Sequence, residues 1–571
     1  MSSNTINVLI SYHTFMFPFE FAYGKENNKI GLNKILEKIG ENNQWEHKGS
    51  FDINEASDDN IPNYNEYYYF NEQARRILYE KKCIKRGCKN TKCKGSYNGY
   101  CIEKSESFYF LKKNAKTFKY IIKIKSKTYT LDVSDISLRI FKHGIGILCF
   151  HLENRTYNSL DDILNINQYG RRIYPPFLKY NIINQKLSSK TVELAINITI
   201  KDNTNNTIKT NFQTLDANKR YDEKLGFIIK NLPSCFVESA SKNKKKIQIN
   251  PILDDRMFVV CWYGDDSFSI DLARKSSNNL KYDYEFSDKW YEFLFVERPG
   301  SITCQNDTMK EDLIKKSTYQ RWIDYKTFFG ITRYSFVCVT NSYSTLISNS
   351  AVFLIDHMRT LYYQMIVLSF IQRISILRFK ERIENALEND DRNKFEIIHK
   401  HYLNFINKIC LREVTSQEQG IEMYDLMKNI MGINESSKEL KEEIEELFNL
   451  ATYKKENETN NKLNLLAIIG GALGVSSLLA SIMSLNNTTP STSELIFIGA
   501  FLFLTICLSF KIWMLIRVKN SILNIILKLL IIITILAMIS ITIFYLFSND
   551  ILISNFYNSI LKVIDNLVNN F

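Results

Sequence analysis

The sequence contains few of the residues and motifs on which common enzyme chemistries depend. It has only seven histidines among 571 residues, and no Ser/His/Asp arrangement can be inferred from their spacing. It also lacks P-loop, Gly-x-Gly-x-x-Gly, zinc-protease and kinase signatures. Nothing in the sequence therefore requires catalysis, and we do not expect an enzyme.

The amino-terminal segment lacks the cationic leader and the uninterrupted apolar core of a signal peptide. Its apolar run, INVLISYHTFMFPF, is short and broken by polar residues. We therefore expect the front of the chain to stay in the cytoplasm. The eleven cysteines are then expected to be reduced rather than paired, because the cytosol keeps thiols reduced.

A dominant charge of one sign is also missing from any extended region. The net charge is +12, but Lys and Asp/Glu are mixed along most of the polar front, and no nucleic-acid reading motif occurs. We therefore do not expect direct binding of nucleic acid. The apolar residues are concentrated in the carboxyl-terminal tail.

One long apolar stretch, Leu463–Leu485, holds no ionisable residue across 23 positions. A helix of this length can cross the roughly 30 Å hydrocarbon layer of a bilayer. Small or hydroxylated residues recur in it at steps of four and three, which places them on one stripe: Gly470, Gly474, Ser477, Ser481 and Ser484. Such a stripe is typical either of a helix-packing seam or of a pore-lining face in a ring of identical subunits.

Further apolar segments follow, and we predict three membrane spans: Leu463–Leu485, Leu495–Ile516 and Ile522–Phe547. The first connection has no Lys or Arg, whereas four cations lie in and after the second span: Lys511, Arg517, Lys519 and Lys528. The positive-inside rule then places the first loop outside and the second inside. We predict a plasma-membrane protein with a cytoplasmic amino terminus and an outer amphipathic tail at 551–571.

Long helices are predicted between the front domain and the membrane, at residues 350–462. Residues 351–387 have an apolar centre, but Arg373 and Arg378 cut it short of a spanning length, which predicts a buried bundle or coiled-coil helix. Two helices are predicted to follow: Asn393–Asn407 and Gln417–Ile430. Asn434 then looks like the N-cap of a helix that runs without Pro or Gly into the first span.

The first 345 residues mix strand patterns with shorter helical ones. Strands are predicted where polar and apolar residues alternate or β-branched residues cluster between turns: Asn7–Ser11, 108–149, 257–262, 290–297 and 330–340. Helices are predicted around Gly31–Gly40 and Tyr157–Asn165. The fold class expected is an α+β (or α/β) cytosolic domain, followed by long stalk helices and a carboxyl-terminal α-helical transmembrane region.

Several arginines of this domain lie at predicted strand edges or turn corners, where residues held by a rigid scaffold often bind ligands. Guanidinium groups suit phosphate oxygens. Four of them are our predicted contacts to an anionic ligand: Arg171, Arg172, Arg256 and Arg333. The alternative is that these arginines, with Arg139, fix loops by pairing with nearby acids, such as Asp254, Asp255 and Glu153.

A basic insertion near residues 81–101 carries four cysteines at spacings C-x4-C-x4-C-x7-C: Cys83, Cys88, Cys93 and Cys101. Four thiolates can close a tetrahedral zinc site. The spacing differs from the C-x2–4-C pairs typical of structural zinc, so reduced surface cysteines are the alternative.

The region of about 400–550 resembles the CorA family of divalent-cation channels, in which a long cytosolic helix enters a small-residue first span and a second span returns. The family's first span ends in Gly-Met-Asn. Here the matching place reads Met483-Ser484-Leu485-Asn486, so only Asn486 agrees. A third span and a larger front domain are further departures, and the combination looks like the CorA-related membrane effectors of type III CRISPR systems.

This resemblance implies a homo-oligomeric channel in the lipid bilayer, opened by a nucleotide messenger such as SAM-AMP and causing ion leakage in antiviral defence. Asn486 would join the small-residue stripe in lining the pore. Two alternatives stay open. One is a constitutive Mg²⁺ transporter, for which the first outer loop offers only Glu494 as an acid. The other is a membrane-anchored enzyme whose spans serve only as a tether.

Overall fold

The computed structural model describes most of the chain before the second predicted span, namely residues 8–22, 32–49, 61–82, 96–98, 100–102, 104–173, 194–203, 207–210, 225–238, 246–253, 256–275, 281–388 and 392–485. The chain divides into two compact units, Met1–Phe448 and Asn449–Phe571. The second and third predicted spans and the outer tail lie outside the described residues.

Fourteen of the described strands form one mixed sheet, and β3 and β4 form a separate hairpin. The strands are β1 Ser11–Ala22, β2 Trp45–His47, β3 Ser96–Tyr97, β4 Tyr100–Cys101, β5 Ser107–Lys112, β6 Lys119–Lys123, β7 Thr128–Phe141, β8 Ile145–Asn154, β9 Asn197–Lys201, β10 Thr207–Lys209, β11 Phe236–Glu238, β12 Ile247–Pro251, β13 Phe258–Gly264, β14 Thr318–Tyr319, β15 Phe328–Ile331 and β16 Ser335–Thr340. The main path runs β10-β9-β6-β7-β8-β1-β13-β16-β15-β14, with β12 beside β1 and β5 beside β7.

Helices precede, interrupt and follow these strands. They are α1 Leu32–Gly40, α2 Ile61–Tyr69, α3 Glu72–Leu78, α4 Leu160–Gly170, α5 Gly226–Asn231, α6 Asp266–Leu272, α7 Asp288–Phe295, α8 Asp307–Ser317, α9 Tyr343–Ser348, α10 Phe353–Arg359, α11 Leu361–Glu388, α12 Arg392–Lys408, α13 Glu418–Ile430 and α14 Ile433–Leu485. The mixed sheet with its helices confirms an α+β domain.

Strand β1 lies at the centre of the sheet and changes partners along one edge. It pairs with β8 from Ser11 to Glu20, while on its other edge it pairs first with β13 and then with β12, both antiparallel. The change falls at Pro18, between the pairs Met16–Phe258 and Phe19–Pro251. Proline has no backbone N–H to donate to a ladder, so an interruption at this position leaves no donor unused.

The two faces of the sheet bury separate hydrophobic cores. The first face packs against α1, α4, α5 and α7, and the phenylalanines of β1 at positions 15, 17, 19 and 21 belong to it. The second face packs against α3, the helices α10 to α13 and the start of α14, and it includes Tyr12 and Met16. Because side chains alternate along a strand, β1 contributes to both cores at once.

One predicted strand, 290–297, is wrong, because its residues 290–295 form most of helix α7. Ser287 caps this helix by accepting from Trp290 N at 3.1 Å. Trp290, Phe293 and Leu294 are buried together, and their spacing of three and four residues is the helical period. The period was hidden in a short run that is apolar at most positions.

Two other strand predictions are placed differently in the structure. The segment 330–340 is a hairpin of β15 and β16 rather than one strand, and Arg333 lies in its turn. The predicted strand Asn7–Ser11 also fails, since residues 8–10 have no regular structure and β1 begins at Ser11. The predicted helix Gly31–Gly40 is confirmed as α1.

The apolar segment Phe353–Glu388 is the one stretch among the described residues that is long and apolar enough to cross a membrane, and 89% of its most apolar window is buried within the protein. Its burial confirms the predicted core helix. The helix is broken between α10 and α11 at Thr360, and Arg378 is accommodated because its Nε donates to Glu20 Oε1 at 2.7 Å.

Helix α14 begins directly after α13, separated by Gly432 with a φ of +69°. This left-handed conformation favours glycine and ends α13 sharply. Asn434 is therefore inside α14 rather than its N-cap, and its side chain donates to Asn429 Oδ1. Leu440 and Ile444 lie in the second-face core, and the helix continues as far as Leu485.

The second-face core predicts a large cost for truncating α11. Ile366→Ala should lower the free energy of unfolding by about 2–5 kcal/mol, because the fully buried side chain leaves a cavity. Ile397→Ala on α12 is the matched control, since its side chain is 53% exposed and should change stability by less than about 0.5 kcal/mol. Urea unfolding of the full-length protein in detergent measures both, and equal effects would contradict the assigned packing.

Candidate functional site

The predicted ligand residue Arg256 lies where the chain leaves the sheet beside Pro18. Strand β12 ends at Pro251, opposite Phe19 of β1, and β13 begins at Phe258, opposite Met16. Only Phe17 and Pro18 of β1 lie between these two pairs. Six residues, 252–257, therefore connect the two strands opposite two residues of β1, and we call this connection the excursion. Its first residue, Ile252, still donates its N–H to Pro18 O at 3.5 Å. Met257 is held at the end of this excursion because its N–H donates to Arg171 O at 2.9 Å.

Three of the four predicted ligand arginines meet at this excursion. Arg172 and Arg256 form an isolated antiparallel bridge, and Arg171 precedes Arg172 at the end of α4. Arg171 is 3% and Arg172 is 7% exposed, whereas Arg256 is half-buried. We call these three residues the Arg172 cluster. Residues 84 positions apart in sequence are thus brought together.

Helix α4 is positioned closely against the sheet and so fixes the cluster. Ser159 caps its start, and Tyr120 Oη donates to Gly170 O at 2.9 Å at its end. A Cβ at Gly170 would lie 2.7 Å from the Phe15 ring, so only glycine allows this approach. The position of α4 therefore fixes Arg171 and Arg172 beside Arg256.

Arg171 also has a structural role that differs from the predicted one. Its Nη2 donates to Gln168 Oε1 at 2.8 Å and to Val296 O at 3.1 Å. Val296 ends α7 in a left-handed conformation, and the carbonyl end of a helix attracts a cation. Arg171 thus ties α4 to α7.

The alternative of loop-fixing ion pairs is corrected for one acid. Glu153 accepts from Arg155 at 2.7 Å and from Arg359 at 2.6 Å, so its partners are not the predicted arginines. Asp254 and Asp255 lie outside the described residues.

Arg333 is placed on the second-face side, in the exposed turn between β15 and β16. Its carbonyl accepts from the guanidinium of Arg373 on α11. The nearest atom to a Cβ built on Gly432 is Arg333 Nη2, at 3.8 Å. Arg333 therefore lies against the junction of α13 and α14, while Arg171 contacts α7.

The predicted pore-lining residues up to Ser484 all lie on helix α14. Gly470 is exposed, and a Cβ added to it would meet no atom within 4 Å. For Gly474, Ser477, Ser481 and Ser484 the structure describes only the helical backbone, and Asn486 lies outside the described residues. Their role in a pore stays a prediction.

The predicted zinc site falls largely on residues that the structure does not describe. Cys83, Cys88 and Cys93 lie outside the described residues, whereas Cys101 is buried in β4 and its N–H donates to Lys81 O at 2.8 Å. Within the described residues, no group of three or more His, Cys, Asp or Glu side chains suits a metal ion. Zinc binding by the four cysteines stays a prediction.

A Ser–His–Asn arrangement, which spacing alone could not reveal, lies on the first face. His13 Nε2 is 2.8 Å from Ser11 Oγ, and His13 Nδ1 is 2.7 Å from Asn167 Oδ1. This order resembles a nucleophile, base and orienting group. All three residues are 0% exposed, however, so we interpret them as a hydrogen-bonding network of the core.

A second polar cluster, on the second face, was missed by sequence analysis. Arg139 of β7 is 4% exposed, its Nη2 donates to Gln364 Oε1 of α11 at 3.1 Å, and its Cζ lies 4.7 Å from the centroid of the Tyr109 ring. On the neighbouring strand, His151 Nδ1 lies 2.8 Å from Tyr12 Oη and its Nε2 lies 3.0 Å from Ser137 Oγ.

The residues of this cluster on β7 lie on the polar side of an amphipathic strand. Asp135, Ser137 and Arg139 alternate with apolar residues in β7, a pattern that usually indicates a solvent face. A single sequence cannot tell whether that face is covered by another layer. Helix α11 covers part of it here.

No protein-family model, curated protein or solved structure matches this chain. The assignment of function therefore depends on the chemistry of the residues themselves. The Arg172 cluster brings together arginines from two separate elements, and Arg139 is a further buried arginine, on the second face.

The buried network around His13 predicts a pH dependence of stability. Burial lowers the pKa of His13 from 6.5 to about 4, so between these values the unfolded chain binds a proton that the folded protein excludes. Stability should therefore fall as the pH drops, by about 2–3 kcal/mol at pH near 4.5 from this residue.

Urea unfolding at neutral pH and near pH 4.5 measures this loss. The variant His13→Gln should show a smaller loss, although His151, whose pKa burial lowers to about 3, keeps its own contribution. The control Ile397→Ala changes an exposed side chain of α12 that binds no proton and should leave the pH dependence unchanged. An unchanged slope in His13→Gln would contradict the neutral buried histidine.

Proposed function

We propose that this protein is a ligand-gated membrane channel whose cytosolic domain binds an anionic nucleotide at the Arg172 cluster. The observation that carries the proposal is the meeting of Arg172 and Arg256 at the end of α4. Guanidinium groups bind phosphate oxygens with two parallel hydrogen bonds, which suits a nucleotide messenger such as SAM-AMP.

The surroundings of the cluster favour its use as a sensor. It joins one excursion from the sheet to the end of one helix, so a ligand that contacts both Arg172 and Arg256 contacts two separate elements. Arg171 holds α4 against α7 and keeps the arrangement in place before a ligand arrives. Less free energy is then lost on binding, because the ligand does not have to order these residues.

Helix α14 supports the channel part of the proposal. Its first turns belong to the second-face core through Leu440 and Ile444, and the same helix includes the small-residue stripe from Gly470 to Ser484. In a ring of identical subunits, this stripe would line the pore. A ligand can change the pore only if it binds the open and closed states with different affinity.

The first test is ion flux through proteoliposomes with and without adenine-nucleotide messengers. Flux should require a nucleotide, and Arg256→Gln should raise the required nucleotide concentration at least about tenfold, since a lost charged hydrogen bond is worth about 1.5–3 kcal/mol. Arg274→Gln is the control, because Arg274 is exposed and pairs with Asp271.

Other outcomes of this experiment lead to different functions. Flux that ignores every nucleotide but follows Mg²⁺ would identify a constitutive divalent-cation transporter. Absence of flux under every condition, together with turnover of a soluble substrate, would identify a membrane-anchored enzyme.

The second test addresses the pore itself. The double variant Ser477→Leu with Ser481→Leu should abolish nucleotide-gated flux while the oligomer still assembles. Two bulky apolar side chains per subunit would narrow the pore and exclude water from it. Ser476→Leu is the matched control, since its position lies one residue, or about 100° of helix rotation, away from the stripe. Unchanged conductance in the double variant would remove the stripe from the pore.

A further inference from the structure

The second face of the sheet changes from apolar to polar along β7 and β8. Phe141 and Ile147 belong to the second-face core, whereas Asp135, Ser137 and His151 lie on the same face further along these strands. A β-bulge at Val133–Asp135 separates this region from the start of β7. Bulges bend a strand and re-aim its side chains, and they are over-represented near functional sites.

Arg139 lies in this polar region as a buried cation with neutral partners. Its Nη1 donates to Leu78 O at 2.7 Å and contacts Ser107 Oγ at 3.5 Å, while its Nη2 donates to Gln364 Oε1. Its Nε is buried and has no acceptor among the described residues. A buried guanidinium without a bonded anion is costly, since charges taken out of water need a partner.

The carboxyl of Glu66, on which Arg139 acts electrostatically, is not hydrogen-bonded to Arg139. Glu66 Oε1 accepts from Tyr79 Oη at 2.6 Å and from Gln364 Nε2 at 3.2 Å, so it is joined to Arg139 only through the Gln364 side chain. Burial raises the pKa of the Glu66 carboxyl, which favours its neutral form. The positive charge of Arg139 is thus incompletely balanced.

The edge of this region is accessible and carries more positive than negative groups. Solvent reaches the side chains of Glu153, Arg155 and Arg359, which are 17%, 28% and 33% exposed. Lys48 and Lys116 act electrostatically on Asp135, a half-buried acid whose pKa burial raises. These four cationic groups outnumber the two carboxyls of Glu153 and Asp135, and the field of the region attracts anions.

We propose that the Arg139 cluster, defined as Arg139, Tyr109, Ser137 and Gln364, is a second binding site, for a small molecule with a phosphate or carboxylate group. One anionic oxygen accepts the Nε–H of Arg139 and thereby balances its charge. The Tyr109 ring against the guanidinium holds the group in position. The site lies on the helix-α11 side of the sheet, whereas α4 and the Arg172 cluster belong to the first-face side.

The test is isothermal titration calorimetry of the full-length protein in detergent, with inorganic phosphate and acetate as separate probes. Both titrations use the Arg256→Gln background, which disables the Arg172 cluster and so separates this proposal from the proposed nucleotide site. At least one probe should bind. Binding of phosphate alone would identify a phosphate-bearing ligand, and binding of acetate alone would identify a carboxylate.

In this background, Arg139→Lys should weaken binding at least tenfold, since lysine keeps the charge but lacks the Nε–H and the planar fork. Arg139→Gln is a second variant that removes the buried charge, should a lysine not be tolerated. Arg76→Gln, which changes an exposed arginine paired with Glu72, should leave the affinity unchanged. Equal affinity in the Arg139 variants, or no binding of either probe to the parent, would overturn the proposal.

Discussion

The interruption of one hydrogen-bond ladder at Pro18 is the constraint on which the candidate nucleotide site depends. Strand β1 is paired continuously with β8, but on its other edge the missing N–H of Pro18 coincides with the change from β13 to β12. The chain leaves the sheet there and carries Arg256 to Arg172. A single residue type in a central strand thus determines where two distant arginines can meet.

Burial of charge links the two candidate sites to the stability of the fold. Arg171 lies at the carbonyl end of α7, and Arg378 pairs with Glu20, so both cations are compensated within the protein. Arg139 differs, because its bonded partners are neutral. Arg171 and Arg378 therefore hold elements together, whereas Arg139 is the buried arginine that we propose binds an anion.

The sequence predicted those elements whose periodicity and ends are both strong. Helices α1, α12 and α13 lie close to their predicted bounds, because their apolar spacing repeats over two or more turns. Helix α7 was misread, since Trp290 and Phe293 belong to a run too short and too apolar to show its period. The turn at Arg333 was missed because two apolar strands flank it with no glycine between them.

The candidate sites were harder to predict than the elements. Arg172 and Arg256 were predicted as ligand contacts because they are arginines at predicted turns. Their proximity to each other could be seen only in the structure. Arg139 was grouped with these arginines but not predicted to bind a ligand, and a single sequence does not show that helix α11 covers the polar side of β7.

The excursion that carries Arg256 also has a mechanical consequence. Its two ends are pinned by ladders that bind β12 and β13 to β1, and only six residues separate them. Arg256 lies only two residues before β13, and the N–H of the intervening Met257 donates to Arg171 O. A molecule that moves Arg256 therefore acts on the start of β13. The next strand in the sheet is β16, which runs parallel to β13 and leads toward α9.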